Sequence, residues 1–227
     1  NAYGVDSRGD WTRVRGTEPV QFMDGLLQIY GYNNNVRPDP YLLERVEVLR
    51  GPSSVLYGQG STGGVLNLQS KRPQVERQAE IGLQLGTWNR RQLQADATGA
   101  LSDDGRWSYR VVGMARKSDT QVDFVPDDRT ALAPSLTWRP DADTSLTFLG
   151  YWQKDMSGSS ATFLPWSGTV LPNPNGQIPT SRFVSEPGYD EYLMRQASLG
   201  YAFEHRFSGA WTVRQNVRYA ANRGSYQ

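Results

Sequence analysis

From Gln78 onward, apolar and polar residues alternate in segments of about ten residues, which is the period of a β-strand with two different faces. In the last segment, one face carries Trp211, Val213, Gln215, Val217 and Tyr219, and the other carries Thr212, Arg214, Asn216 and Arg218. The pattern predicts about seven strands: two in 78–101 and one each in 106–117, 131–139, 145–154, 193–204 and 211–219. We expect these strands to pair antiparallel with their neighbours along the chain.

The first third of the chain has a different pattern, with glycine gathered in short phrases such as Arg50-Gly51-Pro52 and Gly63-Gly64. Such phrases indicate short strands joined by tight turns. The predicted elements are strands at 12–15, 44–49 and 65–69 and one helical turn at 40–43. The change of pattern near Lys71-Arg72-Pro73 predicts two domains, residues 1–73 and residues 74–227.

The connections between the long strands differ at their two ends. Short turns at 102–105, 140–143 and 208–209 would lie at one end, and the tight turn Trp88-Asn89 with the stretches 118–128 and 157–190 at the other. Short turns on one side and long loops on the other are typical of an outer-membrane β-barrel. A water-soluble β-sandwich explains the alternation equally well. Aromatic residues near strand ends favour the barrel, because membrane interfaces are rich in such rings: Trp88, Trp107, Tyr109, Trp138, Trp152, Tyr201 and Trp211.

Composition narrows the classes of function. The chain of 227 residues has no cysteine, which excludes disulfides and thiolate metal sites, and its formal net charge of +1 gives no field that would attract nucleic acid. A mean hydropathy of −0.61 together with 7 Trp, 12 Tyr and 7 Phe indicates sheets with one polar face instead of disorder. No run approaches the roughly 18 apolar residues of a membrane helix, and no signal segment opens the chain.

No residue pattern in the sequence predicts a catalytic site. Residues 58–63 match the dinucleotide pattern G-x-G-x-x-G, but a strand follows them where that site requires a helix. Glu44 and Glu47 would face opposite sides of one strand, and Asp103 and Asp104 lie in a turn. The single histidine, His205, stands between two charged residues near a strand end. The sequence therefore predicts a protein that is not an enzyme and that holds no cofactor and no metal.

One stretch of the sequence indicates a family far more specifically than the strand pattern does. Residues 42–58, read as LLERVEVLRGPSSVLYG and continued by Asn67 and Ser70-Lys71-Arg72-Pro73, closely resemble the plug domain of TonB-dependent outer-membrane receptors. Val14-Arg15-Gly16 and Asp24-Gly25-Leu26 resemble two earlier phrases of that plug, and Asp39-Pro40-Tyr41-Leu42 resembles a segment of siderophore receptors. The resemblance implies a mainly β fold: a small α+β plug domain, then the start of a transmembrane antiparallel β-barrel that is 22-stranded when complete.

The family resemblance also implies how such a chain works. A receptor of this kind would take up a ferric siderophore by energised transport across the bacterial outer membrane, with the TonB complex, the siderophore and outer-membrane lipid as partners. It would be a monomer and bind no nucleic acid. Only about seven strands are counted, so the resemblance implies a fragment, whose TonB box would precede Asn1 and whose remaining strands would follow Gln227. Arg15 and Arg50 match plug arginines that pair with glutamates of the barrel.

The resemblance places ligand contacts at the outward apices of the plug. The candidates are Tyr3, Gln21, Phe22, Tyr30, Tyr32 and Asn33. A ferric siderophore already surrounds its iron, so aromatic faces and hydrogen-bonding groups suit it, and we expect these residues at a ligand surface, outside any core. The run Asn33-Asn34-Asn35 is equally compatible with a polar turn. Phe163, Trp166, Phe183 and Tyr189 indicate that 157–190 is a capture loop instead of a disordered linker.

Two alternatives to a siderophore receptor stay open. One is a receptor of the same family for another bulky solute, namely cobalamin, haem or a carbohydrate, although the apices hold no histidine for haem. The other is a soluble carbohydrate-binding β-sandwich. The barrel reading makes a distinct prediction: apolar strand faces should lie outside, and Gln94, Asp96, Arg214 and Arg218 should point toward the plug.

Overall fold

The protein forms two β-sheets connected by one short segment. The computed structural model describes residues 6, 8–14, 16–28, 36–49, 63–158 and 164–227. The first sheet lies before Lys71 and has four strands, and the second begins at Gln78 and has seven. We call the first the small sheet and the second the wall.

The wall consists of long antiparallel strands in sequential order. Its strands are β5 Gln78–Leu85, β6 Arg91–Ala100, β7 Trp107–Lys117, β8 Asp127–Trp138, β9 Thr144–Gly158, β10 Glu191–Arg206 and β11 Thr212–Tyr226. Each pairs only with its neighbours along the chain, so the order is β11-β10-β9-β8-β7-β6-β5. One sheet with this order confirms the predicted strand pairing, whereas a β-sandwich requires two sheets packed face to face.

The small sheet is mixed and has the order β2-β1-β4-β3. Its strands are β1 Val20–Met23, β2 Leu26–Leu27, β3 Leu43–Leu49 and β4 Val65–Ser70, and a 3-10 turn at Pro40–Leu42 precedes β3. β1 pairs with β4 in parallel, and the other pairs are antiparallel. Met23, Leu43, Leu66 and Leu68 pack into a core on one side of this sheet. The predicted strand at 12–15 is absent from its described residues, where Val14 forms only an isolated bridge to Thr17.

The two faces of the wall differ as the alternation predicts. Its apolar residues project away from the small sheet and stay exposed, including Ile81 at 79%, Leu199 at 66% and Tyr219 at 75%. Polar residues on the opposite face are buried, including Gln92, Ser108, Thr137, Gln153 and Gln196. In a water-soluble sheet the arrangement would be reversed, since apolar side chains avoid water. The wall is therefore built for an apolar environment outside and a polar one inside.

One end of the wall carries connections of very different length. The β5–β6 hairpin turns through Trp88 and Asn89, both with positive φ, which is the backbone of a tight two-residue turn. The connection from β9 to β10 is much longer. Within its described part, the backbone N–H groups of Thr169, Val170 and Leu171 donate to the carbonyl oxygen of Trp166, and so does the Thr169 hydroxyl. Phe183 of this loop contacts Phe124 of the β7–β8 loop. No helix in the described part of the chain is long and apolar enough to cross a membrane.

Candidate functional site

The polar face of the wall contacts the small-sheet region, by which we mean the described residues from Asp6 to Pro73. The contact contains an apolar centre where Leu42 packs among Val112, Met114, Ala131 and Tyr151. Three polar clusters surround it, centred on Asp39, on Asp96 and on Arg218. This interface is the candidate functional site, because charged groups of the small-sheet region and the wall meet there.

Asp39 reaches from the small-sheet region into the wall. Its Oδ2 accepts hydrogen bonds from Arg129 on β8 at 3.1 Å and from Arg116 on β7 at 3.4 Å. Its backbone N–H donates to Oε1 of Gln153 on β9 at 3.3 Å. Arg129 also pairs with Asp155, and all five charged or amide side chains of this cluster are buried. Three wall strands therefore converge on Asp39, β7 and β8 on its carboxylate and β9 on its backbone N–H.

The local sequence determines the orientation of Asp39. It is the N-cap of the 3-10 turn Pro40–Leu42, and its Oδ1 accepts a hydrogen bond from the backbone N–H of Tyr41 at 3.1 Å. Proline suits the first position of such a turn because its missing N–H would have no partner there. One carboxylate oxygen therefore caps the turn, and the other remains available for the two arginines of the wall.

Asp96 on β6 is the centre of the second cluster. Its two oxygens accept hydrogen bonds from Nε and Nη2 of Arg110 at 2.9 and 2.8 Å, and Lys71 Nζ donates to Oδ2 at 2.9 Å. The ammonium of Lys71 lies 4.3 Å from the centre of the Tyr41 ring, and Glu44 lies 3.7 Å from Arg110. Lys71 follows the last strand of the small sheet, so this cluster ties the connection between the two sheets to the wall.

Arg218 on β11 makes the third cluster. Its guanidinium donates to the carbonyl oxygens of Met23 at 2.8 Å and Leu26 at 3.2 Å, on either side of the β1–β2 turn. Asp24 in that turn accepts hydrogen bonds from Ser70 and Arg72. Asp96 and Arg218 thus point toward the small-sheet region as predicted. Arg214 and Gln94 lie on the same strand faces as Arg218 and Asp96, but their partners are within the wall: Arg214 pairs with Glu204 of β10, and Gln94 accepts a hydrogen bond from Gln92.

The residues predicted as ligand contacts or as plug arginines fall mostly outside the described ranges. These are Tyr3, Arg15, Tyr30, Tyr32, Asn33 and Arg50. Gln21 is half-buried in β1 beside Phe22, whose side chain is only 5% exposed. The expectation of an accessible surface position is therefore wrong for Phe22, because its side chain is buried on β1, an inner strand of the small sheet.

Sequence reasoning missed Asp39, Arg116, Arg129 and Asp155 as a group. Asp39 was recognised only within a family phrase, and its partners lie 77 and 90 residues further along the chain. One signal was present: charged residues on the inward face of an apolar-outside strand must be paired or solvated. Among the described residues, no group of histidine, aspartate and glutamate could hold a metal ion.

Glu47 links β3 to β4 and gives a prediction for pH dependence. Hydrogen bonds from Arg45, Asn67 and Gln69 lower the pKa of its carboxyl below the ordinary 4.5. Because the folded pKa is lowered, the carboxylate stabilises the sheet above its unfolded pKa, and this stability is lost as the pH falls through the folded pKa. We expect Glu47→Gln to lower the amide protection of β4 at neutral pH, and the difference from the wild type to disappear once the pH falls below the folded pKa of Glu47. Exposed Glu76→Gln is the control, and a difference that persists in acid would contradict this account.

Comparisons with known proteins agree on one family. The model described as TonB-dependent Receptor Plug Domain matches residues 2–65. The chain is 40% identical over 212 residues to the "Ferrichrome outer membrane transporter/phage receptor" of Escherichia coli (strain K12), covering 93% of this chain and 28% of that protein. It is 39% identical over 225 residues to the "Ferrioxamine B receptor" of Salmonella typhimurium (strain SL1344), covering 96% and 32%.

Solved structures agree on the fold. The ferric-catecholate import receptor of E. coli K12 in its closed form superposes with a TM-score of 0.85 at 22% identity, over 97% of this chain and 32% of that one. The ferripyoverdine receptor of Pseudomonas aeruginosa bound to ferripyoverdine gives 0.80 at 23% identity, over 92% and 28%. The chain thus spans about a third of the length of the relatives that it matches.

Proposed function

Because the chain belongs to the TonB-dependent receptor family, we propose that its full-length protein takes up a ferric siderophore across the bacterial outer membrane. Residues 1–73 act as the plug and residues 74–227 as part of the barrel. The observation that carries the proposal is the pairing of an apolar outer face with a polar inner face that grips the small-sheet region. A transporter needs an obstruction that is held in place but can be moved. The two relatives above are named as a transporter and a receptor, and neither is named as an enzyme.

Ionic contacts suit a plug better than an apolar core would. Each described cluster joins charged or hydrogen-bonding groups of the two parts, and Leu42, with the partly buried Tyr41, gives the contact a small apolar centre. Water can solvate such groups when the plug moves, so displacement exposes little apolar surface. Energy supplied by the TonB complex would therefore break ion pairs and hydrogen bonds. The protein would act as a monomer surrounded by outer-membrane lipid.

The substrate follows from the named relatives and from the apex residues. Ferrichrome and ferrioxamine B appear in the names of the relatives, and both are the first ligands to test. Gln21, Tyr3, Tyr30, Tyr32 and Asn33 remain the proposed contacts. Phe22, being buried, would support the apex instead of touching the ligand.

A binding titration tests the substrate. Ferrichrome and ferrioxamine B are added to the full-length protein in detergent, and Tyr32→Ala is expected to weaken binding by about twofold to tenfold, which corresponds to an aromatic contact of about 0.5–1.5 kcal/mol. Tyr219→Ala is the matched control, because that ring is exposed on the outer face of the wall. Cobalamin, haem and a maltooligosaccharide serve as further arms, and saturable binding of one of these alone would replace the siderophore assignment.

A further inference from the structure

A cavity lies between the β1–β2 hairpin of the small sheet and the inner face of the wall at β10 and β11. Its volume is about 260 Å³, and a narrow extension reaches Tyr151 and Gln196. The cavity and its extension share the lining residues Gln28, Val36, Arg218, Ala220 and Asn222. We call this space the carboxamide cavity, because an amide side chain borders it from each part of the protein, Gln28 from the small-sheet region and Asn222 from the wall.

Gln28 brings an unpaired hydrogen-bond donor to the carboxamide cavity. The residue is only 7% exposed, and its Nε2 has no acceptor, unlike every other buried side-chain nitrogen among the described residues. The backbone is fixed, since the N–H of Gln28 donates to the carbonyl oxygen of Gln21 at 2.9 Å. A buried donor without an acceptor lowers stability, and in native proteins such a group calls for a specific explanation. We therefore looked for an acceptor from outside the protein.

Asn222 ends a row of amide side chains on the inner face of the wall. Gln153, Gln196 and Asn222 are directly opposite one another on β9, β10 and β11. Gln153 and Gln196 are buried, and both accept a hydrogen bond from the hydroxyl of Tyr151, at 2.7 and 3.4 Å. Asn222 is half-buried and borders the cavity. It brings a second N–H donor and an acceptor oxygen to the same space.

Arg218 borders the cavity on the side of the short turns. It lies four residues before Asn222 on the same inward face of β11. Its guanidinium donates to three carbonyl oxygens of the β1–β2 hairpin, those of Met23, Leu26 and Leu27. These hydrogen bonds hold the hairpin against β11, so movement of the plug away from this strand would break them and lengthen the cavity toward the short turns.

The lining indicates which chemical class the cavity accepts. Two carboxamides and a guanidinium supply mostly N–H donors, and no described carboxylate borders the space. Leu26, Leu27 and Val36 add apolar surface. Donors beside apolar walls suit a neutral carbonyl group on a methylene chain, whereas a cation would meet the charge of Arg218 without a counter-ion.

We propose that the carboxamide cavity is a second, transient binding site on the transport path, where Nε2 of Gln28 donates to an amide-type carbonyl oxygen of the solute. The inference rests on the proposed function and deepens it. Gln28 adjoins the proposed apex contacts, because its backbone bonds to Gln21 and Tyr30 follows two residues later. A solute that leaves the apex along this side of the plug therefore meets the cavity next, and its carbonyl replaces water at the donor.

The test separates passage through the cavity from binding at the apex. Full-length Gln28→Met keeps the length of the side chain but lacks the amide. The affinity of the purified protein for ferrichrome and ferrioxamine B should change by less than about twofold. The maximal rate at which cells with the TonB complex take up the same iron-labelled siderophore should fall by about fivefold or more. Gln92→Met is the matched control, because Gln92 is a similarly buried amide of the wall outside the cavity, and its uptake rate should stay near that of the wild type.

Heat unfolding distinguishes a solute contact from a structural one. Because the amide of Gln28 is unpaired at rest, Gln28→Met should leave the midpoint of heat unfolding unchanged or raise it. A lower midpoint together with slower uptake would assign Gln28 a structural role and overturn the proposal. Gln28→Glu tests the direction of the hydrogen bond, since it keeps acceptor oxygens but has no donor when ionised. It should also slow uptake, and a wild-type rate would show that no acceptor of the solute binds there.

A second variant and the binding measurement keep the proposal separate from the proposed function. If Gln28→Met does not fold, Asn222→Leu removes the amide on the wall side, and the same slowing of uptake is expected. Wild-type uptake rates in these variants would mean that the cavity holds only water, which would overturn this site and leave the proposed function intact. A wild-type protein that binds neither siderophore would overturn the proposed function, and this site with it.

Discussion

Asp39→Ala in the full-length protein is expected to release the small-sheet region from the wall. Its carboxylate is the group of the small-sheet region to which Arg116 and Arg129 both donate in a buried setting. Truncating one partner of a buried charge pair at an interface costs about 2–5 kcal/mol. The detached population should therefore rise by about 30-fold or more, which hydrogen exchange of the amides in 39–49 measures.

Two companion variants separate the possible causes of that effect. Asp39→Asn keeps an oxygen that can cap the turn at Tyr41 but removes the negative charge, so it should share most of the loss if the ion pairs dominate. Asp10→Ala is the control, because Asp10 forms an exposed salt bridge with Arg37 that is worth about 0–1 kcal/mol. Unchanged exchange in both Asp39 variants would show that Asp39 does not hold the plug.

The seven wall strands could be predicted because their alternation has a physical cause. An outward residue meets an apolar environment and an inward residue meets a polar one. The outward Leu199 is therefore apolar, and the inward Gln196 is polar. Boundaries were less certain, as β8 begins at Asp127 and β9 extends to Gly158, beyond the predicted 131–139 and 145–154. The ends of both strands are polar, and there the alternation that marks a strand disappears.

The small sheet shows where sequence patterns become insufficient. β1 and β2 have only four and two residues, too few for a period to be read, although Asp24-Gly25 between them is a strong hairpin signal. Both turn residues have positive φ, as that signal requires. The candidate site was harder still, since partners such as Asp39 and Arg129 are separated by 90 residues. A strand pattern gives the face of a residue, but it does not give the partner across an interface.

The described contacts add a second charge arrangement to the one implied by the family. The resemblance places arginines on the plug and glutamates on the barrel, at Arg15 and Arg50, and this remains a prediction. Asp39 has the opposite arrangement, with a carboxylate on the plug side and arginines on the wall. Holding a plug by charges of both signs restricts where it can rest, because a shifted position would bring like charges together.

Asp96→Asn is expected to have an effect of similar or larger size at the connection between plug and wall. Loss of this carboxylate would leave Lys71 and Arg110 as adjacent cations in a mostly buried setting, with side chains 17% and 10% exposed. Removing one partner of a buried pair costs about 3–5 kcal/mol, mainly because the remaining charge is left uncompensated. The midpoint of heat unfolding, followed by circular dichroism, should fall, and amides of β4 should exchange faster.

A double-mutant cycle with Lys71→Gln tests that cause directly. If uncompensated charge dominates, Asp96→Asn combined with Lys71→Gln should be more stable than Asp96→Asn alone, since the second change removes one of the two stranded cations. The control cycle uses Asp104→Asn and Arg106→Gln, a pair 3.3 Å apart with both side chains more than half exposed. Solvent screens that pair, so its coupling should be about 0–1 kcal/mol. If the Asp96–Lys71 coupling were equally small, the contact would contribute no more than a surface salt bridge, and Arg110 alone would account for the loss.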